Sequence, residues 1–378
     1  MNQVNENIIV VLSCGSEVKM PWVNQTKGLL HGYLSGQAGA KAMLKIITGL
    51  VNPSGKLAES YPIKYEDTPT YHYFPGKEVS VEYREAQFIG YRYYDTNNIP
   101  VRYPFGYGLS YTSFSYDIKV AHNRVEFTLT NTGKQAGKEI AQLYIGSVSN
   151  QIFRAKKELK GFSKVFLMPG ESKRVSILFN EQTFRYYNVK TSQWEIEENN
   201  YQIMIGSSSE EIRLSAELFV KGTTSIMPYE PTKLSPYYNG DITNIADQVF
   251  EKLIERKLPQ ANWNRTQPLD YNDTIAQCQY AKGLFARFIF HALRFVHKFL
   301  WKIGKQSTAN LIMMSVYHMP FRGYARMTGG AINMPMVGGI LMIVNGHFFK
   351  GLAHIFKETR KMKKLKKQKK IVSLMNQL

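Results

Sequence analysis

Between Phe114 and about Val220 the sequence is cut into short alternating runs separated by turn residues, and this rhythm sharply limits what the segment can become. Val125-Glu126-Phe127-Thr128-Leu129 alternates apolar and polar residues, and Asn131-Thr132-Gly133 then turns the chain. Ile140–Ile145, Arg174–Phe179 and Tyr201–Ile205 are further runs, with Pro169-Gly170 and Asn199-Asn200 between them. A period of two places alternate side chains on one face, so each run can bury half of its residues as a strand. Several such strands with turns at this spacing predict an immunoglobulin- or fibronectin-like β-sandwich over residues 113–221.

Upstream the pattern is different. Ile8-Ile9-Val10-Val11-Leu12 is continuous and β-branched, which predicts a strand buried on both faces under helices. Ser13-Cys14-Gly15-Ser16 follows as a loop. Residues Gln37–Thr48 then place Ala40, Met43, Leu44 and Ile47 at helical spacing, closed by Gly49 and the turn Asn52-Pro53-Ser54-Gly55. Strand, loop, helix and turn predict an α/β layer over residues 1–112. A doubly wound sheet needs more strands than this, so the segment is read as partial. The expected class is α/β plus all-β, with a helical C-terminal tail over residues 222–378.

Charge separates that tail from the rest. Residues 1–220 hold 24 Lys and Arg against 21 Asp and Glu, whereas residues 221–378 hold 24 against 8. Pro228, Pro231 and Pro236 mark a connector, and a helix is expected near Ile245–Leu258. A longer one is expected over Ile275–Ile303, with Leu284, Phe288, Phe295, Phe299 and Ile303 on one side. Arg287, His291, Arg294, Lys298 and Lys302 form a basic stripe flanking it. Residues 331–349 carry no charge, and lysines crowd the run Lys361–Lys370. Three readings compete for the tail. The favoured one packs the apolar helix faces on the body of the protein. The second lays the tail weakly on a membrane surface. The third, nucleic-acid binding, lacks interleaved aromatics or a recognised fold, so no specific nucleic acid is expected. Asn333, Pro335, Gly338, Gly339, Asn345 and His347 argue against residues 331–349 spanning a bilayer.

Two groups of motifs carry a resemblance. The first is Val10-Val11-Leu12-Ser13-Cys14-Gly15-Ser16-Glu17-Val18, Met20-Pro21-Trp22, Gly36-Gln37-Ala38-Gly39 and Gly49-Leu50-Val51-Asn52-Pro53-Ser54-Gly55-Lys56-Leu57. The second is Gly90-Tyr91-Arg92-Tyr93-Tyr94-Asp95 and Tyr103-Pro104-Phe105-Gly106-Tyr107-Gly108-Leu109-Ser110-Tyr111-Thr112. Asn131-Thr132-Gly133, Gln142-Leu143-Tyr144, Glu158-Leu159-Lys160-Gly161-Phe162 and Pro169-Gly170-Glu171 continue the series. In this order they resemble the C-terminal half of family 3 glycoside hydrolases of the β-glucosidase type: the end of the α/β sandwich domain, then a fibronectin type III-like domain. The resemblance covers residues 7–220 and departs at Glu17, where the family usually has proline.

The resemblance implies retaining hydrolysis of a terminal β-linked glucose or similar sugar, which needs a nucleophile and an acid/base carboxyl about 5–5.5 Å apart. In this family the nucleophile aspartate lies in an N-terminal (β/α)8 barrel and the acid/base glutamate lies upstream of the strand matching Ile8–Leu12. Neither segment is in this sequence. No catalytic, cofactor-binding or metal residue is therefore assigned and no cofactor is expected. The chain alone should be inactive, its partner being the missing barrel portion and its β-glucoside substrate reached only with that portion. The alternative is a stand-alone carbohydrate- or protein-binding module with a membrane-surface tail.

Glu195, Glu197 and Glu198 are the densest acidic cluster, read as a solvated strand face. Glu78, Glu82 and Glu85 are read as solvating a polar connector. His291, His297, His347 and His354 show no HExxH spacing, Cys14 reads as a small core residue, and there is no GxSxG elbow. Gly106-Tyr107-Gly108 lacks the third glycine and the following helix of a phosphate loop and reads as a sharp turn between domains. Trp22 and Trp194 could stack on sugar rings, but large aromatics more often anchor cores, so both are expected to be buried. Tyr91–Tyr94 reads as a seam between domains. Cys14 and Cys278 are the only cysteines, which favours a reducing cytoplasm. Residues 1–7 resemble no secretory signal, so the three Asn-X-Thr sequons, at Asn24, Asn264 and Asn272, are read as chance matches.

Overall fold

The computed structural model describes residues 3–121, 123–148 and 151–375. The chain divides into two compact units, residues 1–261 and 262–378.

The first unit opens with the expected α/β segment. Strand β1 (Ile9–Leu12) pairs in parallel with β2 (Gly28–His31), and helix α1 (Gly39–Ile47) follows. The expectation that the first strand is buried on both faces does not hold: Ile9 and Val11 are exposed, as are Leu44, Ile47 and Leu50 near the end of α1. The sequence run is that of an interior strand. Among the described residues, however, β1 pairs only with β2, so no neighbouring layer covers its far side. A short antiparallel pair, β3 (Tyr61–Pro62) and β4 (Val101–Tyr103), flanks helix α2 (Tyr91–Asn97).

The sandwich forms as the alternation required. One sheet is built from β5 (Phe114–Ala121), β6 (Arg124–Asn131) and β9 (Ser172–Leu178). The other runs in the order β13-β12-β7-β8, from β7 (Gly137–Ser147), β8 (Glu158–Leu167), β12 (Asn199–Gly206) and β13 (Ile212–Val220). Helix α3 (Glu181–Phe184) leads into a hairpin of β10 (Arg185–Asn188) and β11 (Gln193–Ile196). Val125, Phe127 and Leu129 of β6 meet Leu143, Ile145, Ile203 and Ile205 of the facing sheet in one core. Each such buried side chain contributes about 1.5–3 kcal/mol by leaving water. Truncating fully buried Leu143 to alanine would cost about 2–5 kcal/mol.

Residues 222–261, grouped with the tail in the sequence reading, pack on this first unit. Leu234 and Tyr237, before and within helix α4 (Ser235–Asn239), join Ile242, Ile245 and Phe250 of helix α5 (Asp247–Leu253) against Phe88, Tyr93, Tyr94 and Phe153. Arg84 fastens the connection. Its guanidinium donates to Glu82 Oε2, to the Ile245 carbonyl and to Asp247, between the rings of Tyr73 and Phe250. The helical spacing of Ile245, Val249 and Leu253 predicts the helix seen at Asp247–Leu253, but a period does not say which body its apolar side meets.

The second unit is helical: α6 (Leu284–Lys302), α7 (Gln306–Ile312) running into a π turn, α8 (Phe321–Met327), α9 (Met334–Val344) and α10 (Phe348–Met375). The helix expected from Ile275 breaks at Gly283, after a 3-10 turn at Ile275–Tyr280 capped by Thr274. Its core gathers Trp263, Cys278, Phe290, Tyr317, Phe321, Val337 and Leu341. Helices α9 and α10 approach through glycines: a Cβ on Gly351 would lie 2.5 Å from the Gly339 carbonyl oxygen. Among the described residues of this unit the apolar stripe of α6 joins no core. Leu284, Phe288, Phe295 and Phe299 are 79%, 67%, 71% and 53% exposed, and α6 buries the opposite side through Ala286 and Phe290. Of the run Lys361–Lys370, the side chains of Lys366, Lys367, Lys369 and Lys370 lie outside the described residues.

Candidate functional site

In open α/β layers ligands gather beyond the carboxyl ends of the strands. Here those ends deliver Cys14 after β1, and His31 and Tyr33 at and after β2. The His31 ring lies 3.8 Å from that of Tyr33 and 5.7 Å from that of Tyr61, with Cys14 Sγ 3.9 Å from His31 Nδ1. Tyr33 turns in with φ 48° and its hydroxyl accepts from Ala58 N at 3.2 Å. The Tyr61 hydroxyl and His31 Nε2 are buried without a hydrogen-bond partner.

Burial sets the electrostatics of this corner. Burial first, then the nearby Glu17 carboxylate, pushes Glu59 up to about 7. Burial also lowers the His31 imidazole and raises the Tyr61 phenol. The group can hold or release one proton near neutrality. His31, Tyr33, Glu59 and Tyr61 were not singled out from sequence. Their only signal was position, just after a strand-like run or the Gly55-Lys56-Leu57 motif.

The acidic clusters are not solvated faces, and both readings are corrected. Glu195 and Glu197 are buried, and only Glu198 of the three is exposed. Thr191 Oγ1 and Thr223 Oγ1 donate to Glu195, while Gln151 N donates to Glu197 at 2.9 Å and Arg154 Nε lies 3.4 Å from it. Burial raises the Glu197 carboxyl despite Arg154. Glu82 and Glu85 are buried as well, with Glu82 paired to Lys77 at 2.9 Å and to Arg84, whereas Glu78 is exposed. Thr223, Gln151 and Arg154 come from distant parts of the sequence, and Arg84, though only two residues from Glu82, is itself buried by Ile245 and Asp247, so local pattern does not show this burial. Among the described residues no three His, Cys, Asp or Glu are placed to hold a metal ion.

The tryptophans separate. Trp22 packs beside Met20, Val23 and Tyr61, as expected of a core anchor. Trp194 is 63% exposed, its ring 5.6 Å from that of exposed Tyr187, because the β10–β11 hairpin carries it beyond the core that Ile196 reaches. Tyr91 forms the expected seam. It stacks on Phe105 at 4.7 Å and accepts from Leu159 N at 2.7 Å, joining the α/β segment to the sandwich. The turn at Gly106, φ +79°, completes the seam: Gln142 Nε2 donates to the Gly106 and Ser207 carbonyls.

Comparison with known proteins agrees with this architecture. Residues 1–111 match the glycosyl hydrolase family 3 C-terminal domain, and residues 139–209 match the fibronectin type III-like domain. Thermostable beta-glucosidase B of Acetivibrio thermocellus is 46% identical over 233 residues, 59% of this chain and 31% of that protein. An exo-alpha-(1->6)-L-arabinopyranosidase of Bifidobacterium breve is 42% identical over 231 residues, 59% of this chain and 30% of that protein. The crystal structure of the Bifidobacterium adolescentis GH3 beta-glucosidase superposes with a TM-score of 0.57 at 41% identity, covering 61% of this chain and 35% of that one. The chain thus spans less than a third of the length of these two curated relatives. A stand-alone binding module is not favoured by these matches. Over residues 1–111 and 139–209 the chain is similar to the C-terminal portion of glycosyl hydrolase family 3 glycosidases.

Proposed function

We propose that the chain supplies the C-terminal portion of a β-glucosidase-type hydrolase and acts with the N-terminal barrel portion of that enzyme, which carries the nucleophile and the acid/base carboxyl. The collinear match of residues 1–209 to enzymes named for this activity carries the reading. The apolar residues left open on β1 and α1 support it, since Ile9, Val11, Leu44 and Ile47 offer a face that a neighbouring α/β layer would cover. The seam at Tyr91, Gly106 and Gln142 would hold the sandwich fixed against that layer. On this reading none of the residues here supplies the nucleophile or the acid/base carboxyl. The two free thiols, Cys14 and Cys278, fit a cytoplasmic setting. The weak membrane-surface contact expected of the tail is a separate partnership, which residues 262–378 alone would supply.

The test is release of an aryl group from a β-glucoside, with the purified chain alone and after co-expression with a family 3 barrel portion. Background release alone and inhibitor-sensitive turnover with the barrel are expected, because removing groups that act as a unit costs several orders of magnitude. Inhibitor-sensitive turnover by the chain alone at an ordinary enzymatic rate would refute the assignment.

A further inference from the structure

The second unit divides its charge and its apolar surface in an unusual way. Residues 262–378 hold 19 Lys and Arg against 3 Asp and Glu. Two of the three acids, Asp273 and Glu358, are buried, and Asp270 alone is exposed. Three carboxylates can neutralise at most three of nineteen cations, so the surface of this unit is almost purely basic.

Helix α6 sorts its side chains into three arcs. At 100° per residue, Ala286, Phe290 and Leu293 share the side that joins the unit's core. Leu284, Phe288, Phe295 and Phe299 form a second arc, open to solvent. Arg287, Arg294, Lys298 and Lys302 form the third, also exposed and directly flanking the second. No acidic residue lies on the helix. The apolar arc continues past the helix start: the Phe285 ring meets Phe348 at 5.6 Å, and Phe348 meets Phe349, which is largely exposed.

We propose that this face of α6, with the start of α10, lies in the interface of an anionic lipid bilayer. Aromatic rings beside a row of cations match the boundary between acyl chains and negative headgroups. Among the described residues no helix is long and apolar enough to cross a membrane. On α6, four Lys and Arg would each cost about 2.5–3.5 kcal/mol at the bilayer centre, so the helix lies flat rather than spanning. Charge selects the lipid over the other occupants of an apolar face. A second copy would bring the same excess of cations against this one, and residues 1–261 are close to neutral, with 29 Lys and Arg against 26 Asp and Glu.

The test uses the full chain and sedimentation with vesicles of phosphatidylcholine, with and without phosphatidylglycerol. Binding is expected only with phosphatidylglycerol, and it should weaken as salt rises because screening shortens the reach of the charges. Amide exchange across Leu284–Lys302 should slow on the vesicles. Phe288→Ser with Phe295→Ser should weaken binding at least tenfold, since each buried ring contributes about 1.5–3 kcal/mol. Lys298→Gln with Lys302→Gln should weaken it by about 30-fold, from about 1 kcal/mol per cation. All four side chains are exposed, so the circular dichroism and melting of the variants should match the parent protein. Three results would overturn the proposal: no binding to anionic vesicles at low salt; binding unchanged by the two phenylalanine substitutions; or, without lipid, a concentration-dependent dimer that those substitutions abolish.

Discussion

Replacing Gly106 by alanine measures how tightly the sandwich is locked to the α/β segment. Two costs arise at this residue. Its φ of +79° lies in the left-handed region, where a Cβ costs roughly 1–2 kcal/mol. That Cβ would also sit 2.1 Å from Gln142 Oε1, 2.7 Å from Nε2 and 2.8 Å from Cδ. A glutamine end elsewhere would swing away. Here it is buried and held by the Gly106 carbonyl at 3.1 Å, the Ser207 carbonyl at 2.7 Å and the Tyr144 hydroxyl at 2.6 Å. Displacing it leaves buried polar groups unpaired, for about 1–3 kcal/mol more. The expected loss is about 2–5 kcal/mol, or a lowering of Tm by roughly 4–20 °C for a unit of this size. Gly170 is the control: its φ is +76°, but nothing lies within 4 Å of its Cβ position. Gly170→Ala should cost only the left-handed part, roughly 1–2 kcal/mol. In a Gln142→Ala background, Gly106→Ala should fall to that same value. Thermal unfolding of the four variants and the parent closes the cycle. Equal losses at Gly106 and Gly170, or no coupling to Gln142, would refute the argument.

Two further outcomes follow from buried charge. Folding raises the Glu59 carboxyl from 4.5 to about 7, so this residue's contribution to stability is greatest below 4.5 and is lost as pH rises toward 7. Glu59→Gln should therefore flatten the decline between those values and melt above the parent protein at higher pH; a steeper decline in the variant would contradict the burial argument. Arg84→Met removes the cation between Glu82, Asp247 and the Ile245 carbonyl, and breaking such a buried pair costs about 3–5 kcal/mol. Amide exchange should rise first in α4 and α5, and unchanged exchange there would show that the apolar contacts alone hold residues 222–261.

Some of this was legible in the sequence, and some was not, for reasons visible in particular residues. The alternation at Val125–Leu129 and Tyr201–Ile205 specified strands and which face each would bury, because the period of two is a property of the chain itself. Gly106 and Tyr91, both in recognised motifs, pointed to the seam for equally local reasons of backbone freedom and ring size. The sequence also determined that α6 has an apolar side and a basic one. It did not determine what covers either. An amphipathic pattern states that a face is apolar, and Leu284, Phe288, Phe295 and Phe299 satisfied it equally well packed or open. Only the tertiary structure placed Phe290 and Ala286 inward and left the aromatic stripe exposed. The same holds for Glu82, Glu195 and Glu197. A carboxylate reads as solvated until distant residues are brought beside it, as Thr223 and Arg154 are beside Glu195 and Glu197 and as Ile245 and Asp247 are around the Arg84–Glu82 pair, and burial then reverses the meaning of the charge.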